Sequence, residues 1–152
     1  MEQYITLILA TIGTVLGCVN TFDLLNKRRV RLRVVPQCAV FDGDGVWTST
    51  TQHDPRGTVC IEVTNLSAFP LTMQEVGYTL PAPNRASIVK PVLHDSKGWP
   101  RRLEPRDSVT VYGVIADVPH NIRKSFARTA CGVKRFGNSA ALDGLKRSWR
   151  RA

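Results

Sequence analysis

Three rhythms of apolar and polar positions divide this chain. The first is apolar throughout: from Gln3 to Phe22 no charged side chain interrupts the run. A soluble surface helix keeps a charged face for water, and this stretch has none. As a helix it is roughly 30 Å long at about 1.5 Å per residue, which matches a bilayer core. The flank behind it carries Lys27, Arg28, Arg29, Arg31 and Arg33, whereas the flank before it carries Glu2 and no basic side chain. An apolar span stopped by cations predicts a single-pass transmembrane helix at the cell's inner (plasma) membrane, with the short N-terminus outside and the folded body in the cytoplasm.

Two other readings of the span stay open. Thr6, Thr11, Thr14, Asn20 and Thr21 dilute its hydrophobicity, as in a buried or self-associating helix of a soluble protein. Val15-Leu-Gly-Cys18 is similar to the lipobox of bacterial lipoproteins, which implies a cleaved signal. Against that, Met1-Glu-Gln-Tyr4 lacks the positive start of a secretory signal, and Leu16 stands where a small residue is usual. Within the span, Ala10, Gly13 and Gly17 recur at three- and four-residue spacing. A small-xxx-small stripe lets two helices approach closely, so this face is the candidate for self-association; a plain lipid-facing groove is the alternative.

The second rhythm alternates with period two, the mark of a strand with one face inward. Val30 to Val35 predicts the first strand, ended by Pro36, and Gln37 to Phe41 an edge segment. Asp42-Gly-Asp-Gly45 reads as a turn; it lacks the later ligands and closing Glu of a calcium loop. A weak strand and loop follow over 46–57. Thr58 to Thr64 and Leu71 to Leu80 are the clearest pair of strands, joined by a turn through Asn65-Leu-Ser67. That tripeptide also fits an N-glycosylation pattern, which has meaning only in a secreted eukaryotic protein. Ser87 to Leu93 predicts a short edge strand, Trp99 to Leu103 a lead into a turn at Glu104-Pro-Arg-Asp107, and Ser108 to Ile115 a strong strand. Val118, Ile122 and Phe126, four apart, predict a short helix or turn before a last strand over Thr129 to Phe136.

The third rhythm closes the chain. Leu142, Leu145 and Trp149 share one helical face, with Lys146, Arg147, Arg150 and Arg151 around it. This predicts a short helix, or a frayed tail, of the kind that lies on a membrane surface. The expected organisation is therefore a transmembrane helix over 1–26, a body over 27–137 and a basic helix or tail over 138–152. Six to eight short strands with turns between them make the fold class mainly β, with an immunoglobulin-like β-sandwich expected and a small closed barrel as runner-up.

Composition then narrows the chemistry. A net charge of +9 suggests an anionic neighbour, either a membrane surface or nucleic acid. Each exposed Lys or Arg near an anionic leaflet contributes about 1 kcal/mol, so anionic lipid accounts for much of the charge, and nucleic acid is the weaker expectation. The cations predicted to touch the membrane are the five from Lys27 to Arg33, with Lys146, Arg147, Arg150 and Arg151; Trp149 would sit at the interface. The four cysteines form no CxxC pair and no Cys/His spacing for zinc. In a cytoplasmic body they should be reduced; in an oxidising compartment Cys38–Cys60 or Cys60–Cys131 could bridge the sheets. His53, His94 and His120 fall in predicted loops with no nucleophile signature or phosphate-cradling loop nearby. No catalytic residue, metal or cofactor is expected.

One resemblance extends over most of the chain. The apolar span and basic hinge, Val63-Thr-Asn-Leu-Ser-Ala-Phe-Pro70 with Val76-Gly-Tyr78, Arg102 to Tyr112, and Thr129-Ala-Cys-Gly132 together resemble small uncharacterised single-pass membrane-anchored proteins of bacteria and their prophages. The resemblance implies a bacterial or phage origin and an anchored β-sandwich, and it carries no catalytic residues. The expected function is thus an interaction module without catalytic activity, holding an unknown protein partner or itself, as a homo-oligomer, at the inner membrane. Trp99 with Arg101 and Arg102 is the candidate protein contact, since aromatic and Arg side chains anchor many interfaces; core packing is the alternative for Trp99. A membrane-tethered nucleic-acid-binding protein, and a phage or envelope structural component with the apolar helix packed in a multimer, are the other function classes.

Overall fold

The computed structural model describes residues 2–42, 45–52, 54, 57–81, 83–88, 92–93, 98–113 and 118–150. The chain forms two units, 1–30 and 31–152, each considered by itself.

The first unit is one helix, α1 (Glu2–Lys27). Its threonines are less polar than their composition suggests. The hydroxyls of Thr11, Thr14 and Thr21 each donate to the carbonyl four residues back, at 2.8 Å. Hydroxyls satisfied inside the helix add little cost in an apolar medium. Its large apolar side chains are exposed from Tyr4 to Leu25.

The second unit is mainly β. In chain order it contains β1 (Leu32–Asp42), β2 (Gly45–Ser49), β3 (Thr58–Asn65), β4 (Leu71–Thr79), β5 (Arg85–Ser87), β6 (Val92–Leu93), β7 (Arg101–Leu103), β8 (Ser108–Gly113), β9 (Ser125–Thr129), β10 (Lys134–Gly137) and α2 (Ala140–Trp149). They form two antiparallel sheets, one in the order β2-β1-β3-β8-β6 and one in the order β10-β9-β4-β5, with β7 also pairing with β4. Alternation puts one side of each strand inward: Val34 on β1 faces Val63 on β3, which faces Val109 on β8. These join Met73, Val76 and Tyr78 of β4, Ala127 of β9, and Leu142 and Leu145 of α2 in one core. Close approach between the sheets requires glycine at 137, where a Cβ would collide with the Val34 carbonyl.

Four expectations are corrected here. Pro36 does not end the first strand; β1 runs through it, pairing Pro36 with Ile61 of β3. The missing N–H is tolerated because β2 begins pairing only at Cys38, leaving the other edge of β1 without a ladder partner at that point. The segment expected as one short edge strand is two: β5 pairs with β4 in one sheet and β6 with β8 in the other. Val118, Ile122 and Phe126 are all buried; of the helix or turn expected there, a turn forms at His120 and Asn121, while Phe126 belongs to β9. The last strand is a hairpin, because Gly132 at φ 86° reverses the chain between β9 and β10.

The loops between strands are tied by Asn65, which is fully buried. Its carboxamide donates to the carbonyls of Phe69 (2.9 Å), Leu103 (3.1 Å) and Glu104 (3.2 Å) and accepts from the Ser67 amide (2.9 Å). The glycosylation-like tripeptide is therefore a structural latch, and its asparagine is closed to modification. Glu75 similarly joins three strands, pairing with Arg85 at 3.1 Å and Arg128 at 3.5 Å and accepting from the Ser87 hydroxyl.

Candidate functional site

The residues singled out in the sequence fall into three places. On α1, a Cβ added at Gly13 or Gly17 would meet nothing within 4 Å, and Ala10 is exposed on the same helix. The stripe is thus open space along the helix surface. Of the hinge cations, Arg28 and Arg29 are exposed in the helix unit, and Arg31 and Arg33 are exposed in the β unit.

The second place is the surface beside β7. Trp99 is half-buried against the core and donates its indole N–H to the Gln74 carbonyl at 3.1 Å. Arg101 is half-buried; Arg102 is exposed and paired with Glu104 at 3.0 Å. The indole is fixed by packing and by its hydrogen bond, with one edge left for solvent. The β1–β2 hairpin exposes two more aromatics: Trp47, which the sequence marks beside a loop as a possible anchor like Trp99, and Phe41, which sequence reasoning passed over. Phe41 is 62% and Trp47 71% exposed, and the Phe41 ring leans on Tyr112 at 5.8 Å. What was missing was the register that makes β2 an outer strand of its sheet.

The third place is α2. Ser139 caps it, accepting from the Leu142 amide at 3.2 Å, and Asp143 lies in its first turn with Lys146 and Arg147 in its last. Asp143 and Lys146 pair at 2.9 Å, which holds the Asp143 carboxyl below its ordinary range. Leu142 and Leu145 are each 2% exposed, and Trp149 packs on the core and stacks on His120 at 4.9 Å. The expected short helix is present, but its apolar face is not left for a membrane surface: the core occupies it. Lys146, Arg147 and Arg150 project from the remainder of the helix, with Lys146 and Arg147 half-buried and exposed respectively and Arg150 exposed; Arg151 lies outside the described residues.

The cysteines are all free. Cys38 and Cys60 sit on adjacent strands of one sheet, Cys38 opposite Val59 and Cys60 opposite Gln37. Neighbouring positions on a strand point to opposite faces, so the bridge between sheets offered for an oxidising compartment does not fit this pair. Burial, with Cys38 and Glu62 nearby, pushes the Cys60 thiol up to about 12, which leaves it protonated and unreactive. Burial likewise raises the Tyr78 phenol, whose hydroxyl has no hydrogen-bond partner among the described residues. Cys131 differs: it is exposed, and a hydrogen bond with the Thr129 hydroxyl lowers its pKa. His53 and His94 lie outside the described residues, as does part of the Asp42–Gly45 turn. Among the described residues no three His, Cys, Asp or Glu side chains gather as a metal site.

Comparison with protein-family models, curated proteins and solved structures finds no match.

Proposed function

We propose that this chain is a single-pass membrane-anchored interaction module, with α1 crossing the inner membrane, a β-sandwich body in the cytoplasm and no catalytic role. The observation that carries the reading is α1: 23 residues, Gln3–Leu25, are long and apolar enough to cross a bilayer, and none of the window is buried. Five cations on one flank against one acid on the other support a cytoplasmic body. The reading keeps the chain among small membrane-anchored proteins of bacteria and their prophages.

An immunoglobulin-type sandwich is part of the proposal. What supports it is strand order: β1-β3-β8-β6 opposite β10-β9-β4-β5 follows the A-B-E-D and G-F-C-C′ arrangement of that fold, with β2 added beside β1. Such sandwiches bind through loops and strand edges. A protein partner would contact the Trp99–Arg102 surface, or the outer edge of β2 with Phe41 and Trp47. The open Ala10-Gly13-Gly17 stripe supports pairing of α1 with a second copy. Exposed cations of the hinge and of α2 would lie against anionic lipid.

Membrane fractionation with thiol labelling tests this. The full chain should resist carbonate and yield only to detergent. Cys131 should react with an impermeant thiol reagent only from the cytoplasmic side, and Cys38 and Cys60 only after denaturation. Recovery of the intact, unlipidated chain in the carbonate supernatant overturns the proposal.

A further inference from the structure

A cavity of about 380 Å³ opens where the loop before β9 meets the last turns of α2. Its size falls within the range of small-molecule sites. The loop supplies His120, Asn121 and Arg123, the helix supplies Lys146 and Arg150, and among the described residues no acidic side chain lines it.

The lining is held on both sides. Val118 and Ile122 are buried and root the loop in the core. The Arg123 amide donates to the Thr79 carbonyl at 2.7 Å, and the Thr79 amide to the Lys124 carbonyl at 2.8 Å. Leu142 and Leu145 root the helix, and the His120–Trp149 stack clasps loop to helix. Lys146 is steadied from outside by Asp143 at 2.9 Å and by the Asn138 side chain at 3.4 Å.

This gathering of charge needs a cause. Cations in a helix's last turns offset the macrodipole, which accounts for Lys146 and Arg150. It does not account for Arg123, which arrives from a separate loop. Lys146 and Arg150 are four apart, a spacing at which like charges repel, and Arg123 lines the same cavity. An anion in the cavity removes the cost. Among the described residues, Arg123, Lys146 and Arg150 carry three positive charges, and Asp143 beside Lys146 offsets one. The balance matches the roughly −1.5 to −2 of a phosphate monoester, and paired guanidinium groups suit phosphate oxygens. Asn121 adds a neutral donor.

The geometry points to a binding site for a phosphate-bearing anion in this cavity, with Arg123, Lys146 and Arg150 as its cationic contacts. The phosphate could be a lipid headgroup or a soluble ion. The site stands on the cavity alone, so it does not depend on which compartment the body occupies or on whether α1 spans a bilayer.

The test follows arginine modification by phenylglyoxal, mapped by mass spectrometry, on the full chain in phosphatidylcholine nanodiscs. One arm adds inorganic phosphate or pyrophosphate; the other replaces part of the lipid with phosphatidic acid. Saturable protection of Arg123 and Arg150, with Arg135 on β10 unprotected, supports the site. The arm that protects identifies the source. Arg150→Gln, read at Arg123, should weaken protection about tenfold or more; Lys146→Gln is the second variant, with circular dichroism to verify folding. Protection in neither arm, protection of Arg135 to the same degree, or undiminished protection in folded Arg150→Gln and Lys146→Gln overturns the proposal.

Discussion

The two helices of this protein put leucines to opposite uses. α1 carries Leu7, Leu9 and Leu16 at 66%, 64% and 63% exposure, whereas α2 buries Leu142 and Leu145 to 2%. The cause lies in the surrounding residues. α1 is apolar on every side, so no rotation about its axis leaves a polar face for water. α2 is divided into an apolar stripe and a cationic remainder, so a single orientation on the sheets buries one and hydrates the other. Side chains of the same kind thus stand exposed in one helix, which is apolar enough to cross a membrane, and fill the protein core in the other. What distinguishes them is arrangement around the axis, which the content of leucine alone does not report.

The largest expected effect strikes at this contrast. Leu145→Ala leaves a hole in the core and should destabilise the body by about 2–5 kcal/mol, read as a lowered urea midpoint of the detergent-solubilised chain. Leu9→Ala should leave that midpoint within about 0.5 kcal/mol. Equal losses from the two would abolish the distinction between the helices.

A charge at the middle of α1 comes next. Ile12→Arg should cost about 2.5–3.5 kcal/mol of membrane insertion and shift much of the chain into the carbonate-soluble fraction, while a charge reversal at exposed Arg147, Arg147→Glu, should leave fractionation unchanged. Full retention of Ile12→Arg in the membrane pellet would mean that α1 is shielded from lipid.

Two smaller effects sharpen the picture of α2 as an ordinary soluble helix. Ser139→Ala removes the cap on the Leu142 amide and should cost about 1 kcal/mol in the same denaturant measurement. The Asp143–Lys146 pair should be worth least. Asp143 is about half exposed, so water screens the pair to roughly 0.3–0.5 kcal/mol. Its carboxyl is lowered in the folded protein from an ordinary value of 3.8. The contribution is therefore fully present above pH of about 4 and fades as the pH falls through the lowered folded-state value. Asp143→Asn should remove that acid-side loss; an unchanged pH profile of unfolding would show that the pair does not stabilise α2.

The strands divide along the same line between local and long-range control. β3 and β4 are legible in the sequence because each alternates over part of its length, Ile61 to Thr64 and Leu71 to Gln74, and ends at turn residues. β9 is not: Ser125, Phe126, Ala127 and Thr129 are all buried, and a strand covered on both faces loses its period of two. The cationic cavity was legible only in half. The pattern around Leu142 exposed Lys146 and Arg150, but Arg123 and His120 belong to a segment that the four-residue spacing of Val118, Ile122 and Phe126 left as a helix or turn, with no indication of what it packs against. Pro36 misled for a related reason, since whether proline ends a strand depends on which edge has a partner.

Residue order alone determined where water is excluded along the chain: an opening helix with no face for water, cations immediately behind it, and a body built of alternating strands. These are decided within a few residues, by composition and period. Tertiary structure decided what does the excluding. It assigned β5 and β6 to different sheets, placed the apolar stripe of α2 on the core and away from lipid, and brought Arg123 to Lys146 and Arg150. An amphipathic pattern states that a face must be covered, and the same pattern is satisfied by a membrane, a partner or the protein's own core; only the packed chain, in which that surface competes for the nearest apolar cover, selects among them.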